Sequence, residues 1–204
     1  MASFAGTPAA GGNYDLLFSR TSAAGYLFLA AAMNSFSFDF CVRQKLTGMH
    51  LQFSVMNQLP VPAVNSEVRA PWDAQSTVWT WVGCRVKELV LTGYDTADLQ
   101  QELEGAARPF TWNTFRRTRL RAELDAAMFV LYGLNRSEVN HILDTFVILK
   151  RKDEAEFGDY RTKLLILEAF DAMQESARTG TSFESALNPP PGQGPRHPVK
   201  ELSA

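Results

Sequence analysis

The stretch NTFRRTRLRAELDAAMFVLYG, residues 113–133, decides the fold class of this 204-residue chain. Asn113 is a residue type that commonly caps the start of a helix, and Gly133 stands where a helix commonly ends. The apolar residues that recur between them at helical spacing are Leu120, Leu124, Ala127, Met128 and Leu131. This spacing predicts one long helix up to Tyr132, with an apolar stripe that packs into a core.

Further apolar patterns predict helices on both sides of this stretch. Thr21 or Ser22 is expected to cap a helix that runs to about Leu46 and is apolar almost all round, so it should be buried on several sides. Further long helices are predicted over 76–91 and over about 159–178. Shorter helices are predicted at about 96–105 and 135–146, and the second of these has Asn135 or Ser137 as its cap.

Strand signals are few, and the termini differ in composition from the rest. Tyr14 to Phe18 predicts a short strand, so the fold is expected to be mainly α with a small β portion near the N-terminus, a helical domain that is α+β at most. Residues 1–20 should form a loose segment and residues 181–204 a disordered tail, because NPPPGQGPRHPVKELSA (188–204) is rich in Pro and Gly and lacks an apolar pattern.

Composition restricts the classes of function that fit the chain. Apolar residues make up 46% of the sequence, which excludes disorder for most of its length. The 20 basic residues are outnumbered by 22 acidic ones, so a DNA-binding role needs a local basic patch or help from another domain.

Cys41 and Cys84 lie in apolar patterns without metal-ligand spacing, which favours buried thiols in a cytoplasmic protein. We expect no membrane association, since the longest apolar run, GYLFLAAAM at 25–33, is too short to cross a bilayer.

Motifs that carry catalysis or bind cofactors do not occur in the sequence. It has no Gly-rich phosphate loop, and His50, His141 and His197 are far apart and lack metal-ligand spacing. Asn188-Pro-Pro-Pro191 resembles the Asn-Pro-Pro-aromatic turn of amino-group DNA methyltransferases, but Pro191 offers no ring for stacking on a flipped base. We therefore expect no catalytic, cofactor-binding or metal-binding residue in this chain.

The charged stretch DTFVILKRKDEAEFGDYRTK, residues 144–163, raises the hypothesis of a metal-dependent nuclease. Asp153, Glu154, Glu156 and Lys163 are the residue types that such a site uses. Those groups would have to be held on adjacent strands, whereas strand character is weak and confined to 146–149, and helix signals follow. The pattern favours a charged connector between two helices.

Three stretches resemble one protein family. AAMNSFSFDFCVRQKLTGMHLQFSVMNQLPVP (31–62) is similar to the end of the target-recognition domain of large, Type IIG-like restriction–modification DNA methyltransferases that act on adenine. RRTRLRAELDAAMFVLYGLNRSEVNHILDTF (116–146) and KRKDEAEFGDYRTKLLILEAFDAM (150–173) resemble that family's C-terminal helical region. The residues that carry the first match are Asn34, Ser35, Phe38, Asp39, Arg43, Lys45, Gly48, His50, Leu51 and Gln58 to Val61.

The resemblance implies a division of the chain and a function. Residues 21–70 would be the end of a target-recognition-like domain and 71–180 the helical C-terminal region. The family binds S-adenosylmethionine and catalyses methyl transfer with motifs that should lie upstream, so the chain looks like a fragment, a split gene product or a separately encoded piece. It would support sequence-specific DNA binding in phage defence, with DNA and an upstream methyltransferase domain or subunit as partners. Some members also carry an endonuclease. Alone, the chain is expected neither to bind the cofactor nor to methylate DNA.

The candidates for DNA contact are basic residues near predicted helix ends. They are Arg43, Lys45, His50, Arg116, Arg117, Arg151, Lys152, Arg161 and Lys163. The first three are expected to share one surface. The arginines after Asn113 lie where the helix dipole disfavours cations, so they should bind either phosphates or acidic groups such as Glu123 and Asp125.

Two other functions stay open at this point. A DNA-specificity subunit of a multi-chain restriction enzyme would have a duplicated recognition half and a long coiled-coil helix, and neither pattern is visible. A helical scaffold without DNA contact would suit the net charge of −2.

Overall fold

The helix predicted after Asn113 lies at the centre of the fold. The computed structural model describes residues 21–46, 48, 51–105 and 108–198. In chain order its helices are α1 Ala23–Met33, α2 Phe36–Lys45, α3 Phe53–Met56, α4 Val78–Val90, α5 Ala97–Glu104, α6 Thr114–Leu131, α7 Arg136–Asp144, α8 Val147–Phe157 and α9 Arg161–Thr179. Two short strands, β1 Arg69–Ala70 and β2 Asp73–Thr77, precede α4, and a 3-10 turn, Tyr94–Thr96, precedes α5. The prediction of a mainly α fold with a small β portion is confirmed.

One hydrophobic core joins the helices. The Asn113 side chain accepts a hydrogen bond from the Arg116 N–H at 2.9 Å and begins α6, as predicted. Helix α6 packs along α9, and α1 packs along α4. Leu124 and Met128 of α6 and Phe170 of α9 are buried in this core, where an apolar stripe of each helix is removed from water.

The first long helix that we predicted is broken in two. Asn34 ends α1 and Ser35 caps α2, accepting from the Phe38 N–H, and the two helices are bent by 61°. The carboxyl of Asp125 on α6 accepts from the Phe36 N–H at 2.9 Å, which satisfies a second donor at the start of α2. The prediction was wrong here because the partner that stabilises the break lies 89 residues away.

The β portion is a small hairpin. Strands β1 and β2 pair antiparallel, with Ala70 opposite Asp73. Trp72 in the turn is fully buried and packs edge-to-face on Trp81 of α4 at 5.1 Å between ring centroids. The strand predicted at 14–18 lies outside the described residues.

The charged stretch after Phe146 is a helix and not a connector. No side chain caps α8 at its start, and Gly158 ends it in a left-handed conformation with φ of 82°. Asp153 faces inward and is buried. Sequence patterning missed this helix because its only buried residue, Asp153, is charged.

Residues 181–198, which we call the C-terminal strap, pack against α4 and α6. The Phe183 N–H donates to the Trp72 carbonyl at 2.8 Å, and Leu187 is buried. Further along, the Gly192 N–H donates to the Glu88 carboxylate at 2.8 Å, and the Thr111 N–H donates to the Pro195 carbonyl. The prediction of a disordered tail is therefore wrong for 181–198, because buried charged groups elsewhere in the chain bind the backbone of the strap.

Membrane-spanning potential can be judged for the described helices. None of them alone has the length and apolarity to cross a bilayer, and only α1 and α2 taken together as a bent pair meet that test, on length and composition.

Candidate nucleic-acid interface

The outward side of α8 combines exposed apolar and basic side chains. Val147 and Ile148 are 54% and 70% exposed, and Arg151 and Lys152 follow them one helical turn later, also exposed. Neither cation forms a salt bridge with any residue in the described ranges. We call these four residues the α8 face.

The carboxylates of the same helix do not gather into a catalytic group. The buried Asp153 carboxylate accepts from the Thr162 N–H at 2.6 Å, which caps the start of α9. Glu154 pairs with Lys150 at 3.8 Å on the surface, and Glu156 is exposed. Within the described residues, no three His, Cys, Asp or Glu side chains are grouped to hold a metal ion. The acidic residue at the centre of the charged stretch therefore has a structural task.

Replacing Asp153 with Ala should lower the free energy of unfolding by about 1–2 kcal/mol, the usual cost of a lost helix cap. The first turn of α9 has no side-chain cap of its own, so the Thr162 N–H would be left without its acceptor. Urea denaturation measures the change. Asp153→Asn keeps an acceptor oxygen and should lose less. Equal loss in both variants would show that the cap hydrogen bond is not the cause.

The C-terminal end of α2 lies beside the start of α8. Arg43 pairs with Asp39 at 2.8 Å, and its guanidinium lies 4.5 Å from the ring centroid of Phe146, the residue before α8. Lys45 is exposed at the last position of α2. His50 lies outside the described residues, so the shared surface of the three stays a prediction.

The first cations of α9 already have partners. The Arg161 guanidinium stacks on the Phe157 ring of α8 at 4.5 Å, and Lys163 donates to the Asp144 carboxylate of α7 at 2.7 Å. Asp144 and the Asp153 cap supply negative charge where the helix dipole disfavours cations. Arg161 thus contacts the C-terminal end of α8, and Lys163 is largely neutralised by Asp144 of α7.

Arg116 cannot contact DNA in this structure. Its side chain is only 7% exposed and forms an ion pair with the buried Glu88 of α4. Its remaining donors bind the carbonyls of Pro189 and Pro190 at 2.6 and 2.9 Å. The prediction of a phosphate contact is wrong for this residue because a carboxylate and the strap use its donors.

A second buried ion pair nearby also binds the strap. The Arg85 guanidinium donates to the Glu123 carboxylate at 2.8 Å, and both side chains are 5% exposed. The Ser185 hydroxyl of the strap donates to the other Glu123 oxygen. A Cβ on Gly194 would overlap the Glu88 carboxylate, so the strap backbone approaches these pairs closely.

Arg117 remains partly accessible and has a neighbour that the sequence did not bring to attention. It donates to the Leu89 carbonyl at 2.7 Å and lies 3.7 Å over the ring of Trp112, which is 65% exposed. A tryptophan directly before an arginine-rich helix start was the signal available in the sequence.

Arg43 of α2 and Arg161 of α9 thus contact residues at the two ends of α8, which carries Arg151 and Lys152, whereas Arg117 contacts Trp112 and Leu89. Comparison of the chain with protein-family models, with curated proteins and with solved structures finds no match.

Proposed function

We propose that this chain is the DNA-contacting helical part of a restriction–modification adenine methyltransferase system, and that the α8 face lies against DNA beside a catalytic domain supplied elsewhere. Arg151 and Lys152 of the α8 face belong to a stretch that resembles the C-terminal helical region of those enzymes. S-adenosylmethionine would be bound by the catalytic domain and not by this chain.

One observation carries the proposal: α8 turns its central carboxylate inward and leaves two cations outward that form no salt bridge within the described ranges. Asp153 is used as a cap, while Arg151 and Lys152 point to solvent without a salt bridge in the described part of the chain. Such cations can neutralise phosphates and release counterions. The net charge of −2 opposes DNA binding at long range, so the contact should be weak without the catalytic domain.

The expected contribution of the α8 face is positioning. Phosphate contacts fix the register and orientation of a protein on DNA but read no sequence. Arg43, stacked on Phe146 next to α8, is placed to extend the same contact. Sequence readout would then come from other residues of the target-recognition part.

Replacing Arg151 and Lys152 together with Gln should weaken binding to duplex DNA evenly across sequences. Two lost phosphate contacts should flatten the slope of log affinity against log salt by up to about 1.8. Fluorescence anisotropy with labelled duplexes at several salt concentrations measures both quantities. We expect affinity of about micromolar or weaker at physiological salt for the unmodified chain, close to the non-specific range.

The matched control is Arg136→Gln with Arg178→Gln. It removes the same charge from two exposed arginines that are paired with Asp171 and Glu175. This control should leave the salt slope nearly unchanged. If both double variants changed DNA affinity and the salt slope equally, the α8 face would act only through the net charge of the chain, which would contradict the proposal.

A protein-docking role for the same helix is the second candidate. The exposure of Val147 and Ile148 favours it, since large apolar side chains at a surface are typical of contact sites. In that case Ile148→Glu would abolish association with the methyltransferase domain, while the Gln double variant would leave DNA affinity unchanged. A specificity subunit is less favoured, because the longest helix among the described residues, α9, has 19 residues and forms no long coiled coil.

A further inference from the structure

We propose that Trp112, Arg117 and Arg121 form a second nucleic-acid site, which takes an unpaired base of single-stranded DNA together with its phosphates. We call these three residues the Trp112 platform. The site is separate from the α8 face, and its existence does not depend on the function proposed above.

The Trp112 side chain is exposed to solvent. Trp112 is 65% exposed, whereas Trp72 and Trp81 are 0% and 4% exposed and belong to the core. Leaving so large a ring in solvent forgoes the stabilisation that burial of its apolar area would give.

The ring of Trp112 is held in place and not merely left at the surface. The Arg117 guanidinium lies 3.7 Å from its ring centroid, and the same guanidinium donates to the Leu89 carbonyl of α4 at 2.7 Å. The hydrogen bond fixes the cation, and the cation fixes the ring. Stacking on a ring that is already oriented costs less side-chain entropy than stacking on a mobile one.

A cation without a salt-bridge partner among the described residues lies next to Arg117. Arg121 follows Arg117 by one helical turn, is exposed, and forms no salt bridge with the described residues, whereas Arg119 pairs with Glu168 at 3.0 Å. Burial lowers the pKa of Arg117 and the charge of Arg121 lowers it further, so the two cations repel each other. Asp125 attracts Arg121, but its carboxyl is buried and accepts from the Phe36 N–H.

A nucleotide with an unstacked base satisfies both features. Its base can stack on the exposed ring of Trp112, and its phosphates can lie against Arg117 and Arg121. Surfaces that bind single strands combine stacking and phosphate contacts in this way. A duplex keeps its bases stacked inside the helix and would offer only phosphates. The chemistry of the Trp112 platform therefore points to single-stranded DNA.

The test is fluorescence anisotropy of the full chain with a labelled oligothymidine of about 12 nucleotides. Trp112→Ala should weaken binding about tenfold, and Trp112→Phe should restore most of the affinity, because both aromatic rings can stack on a base. Arg121→Gln should flatten the salt slope by about 0.7, the value for one phosphate of a single strand.

Phe53→Ala is the matched control, since Phe53 on α3 is 67% exposed and no arginine of the described residues stacks on it. It should leave oligothymidine binding unchanged. Equal affinity of Trp112→Ala and the unmodified chain would overturn the proposal, and so would an equal loss in Phe53→Ala. Binding of a duplex that is tighter than binding of oligothymidine and equally weakened by Trp112→Ala would also overturn the assignment to an unpaired base.

The two proposals fail separately in these measurements. The Arg151 and Lys152 double variant should lower duplex binding and leave oligothymidine binding intact, while Trp112→Ala should do the reverse. Loss of one effect alone therefore identifies which of the two sites is absent.

Discussion

Replacing Arg116 with Ala should lower the free energy of unfolding by about 3–5 kcal/mol, the usual cost of breaking a buried ion pair from one side. The Glu88 carboxylate, 5% exposed, would lose its cation and stay buried with the Gly192 N–H as a remaining donor. The carbonyls of Pro189 and Pro190 would lose their donor as well. Urea denaturation followed by circular dichroism gives the change. Limited proteolysis should also find cleavage sites in the C-terminal strap that the unmodified chain protects.

Arg119→Ala is the control for this variant, because it removes the same side chain from the same helix. Arg119 is 26% exposed and pairs with Glu168, whose side chain is 60% exposed, so its loss should cost less than about 1 kcal/mol. A similarly small loss of stability in Arg116→Ala would contradict the role that we assign to the buried pair. It would also restore the hypothesis that Arg116 binds a DNA phosphate.

Between about pH 4 and pH 7 the Asp125 carboxyl should make the chain less stable as the pH rises. Burial raises the pKa of Asp125 to about 7, and the hydrogen bond from Phe36 and the charge of Arg121 only partly oppose that shift. The unfolded chain releases this proton near pH 3.9, so the folded state holds more protons than the unfolded state throughout the interval. Stability therefore falls with increasing pH, by up to about 1.4 kcal/mol per pH unit for one group.

The free energy of unfolding of Asp125→Asn should be compared with that of the unmodified chain by urea denaturation at several pH values. Asn retains an oxygen that can accept from the Phe36 N–H and has no proton to lose, so the variant should gain stability over the unmodified chain as the pH rises and be the more stable of the two at pH 8. Asp171→Asn, at an exposed site, should follow the unmodified profile more closely. Parallel pH profiles for the unmodified chain and Asp125→Asn would show that the Asp125 pKa is not raised.

Local signals in the sequence were sufficient for several helices. Asn113 was predicted as the cap of α6, and Asn135 was one of two candidates, with Ser137, for the cap of α7. Both Asn side chains accept from backbone N–H groups at these helix starts, and Asn135 and Glu138 form a capping box. Thr96 precedes α5 as expected, and Gly180 follows α9. Side chains within a few residues of each helix end provide these signals, so they can be read without knowledge of the fold.

Features that depend on distant partners escaped prediction. The break between α1 and α2 is satisfied by Asp125, and the C-terminal strap is bound by Glu88, Arg116 and Glu123. A segment rich in Pro and Gly lacks an apolar pattern, but its carbonyls and N–H groups can still bind buried charged groups. Composition alone therefore indicated disorder where the structure has order.

The residues of the candidate site could likewise be predicted only in part from the sequence. Residue type and helix position were enough to nominate Arg151 and Lys152, which are exposed, and equally Arg116, which is buried against Glu88. The sequence could not distinguish these cases, because the exposure of an arginine depends on what α4 and the strap place beside it. The same argument explains why Trp112 was passed over: one exposed tryptophan among four is visible only once the core is known.

Contact between DNA and the α8 face is tested most directly by an NMR titration of the ¹⁵N-labelled chain with a short duplex. We predict chemical-shift changes concentrated in the amides of Val147–Phe157 and in Arg43 beside Phe146, reduced by added salt and absent in the Arg151→Gln, Lys152→Gln variant. The amides around Arg116 and Glu88 should change little. Saturable shifts that leave α8 unaffected, or no shifts at DNA concentrations well above micromolar, would contradict the account.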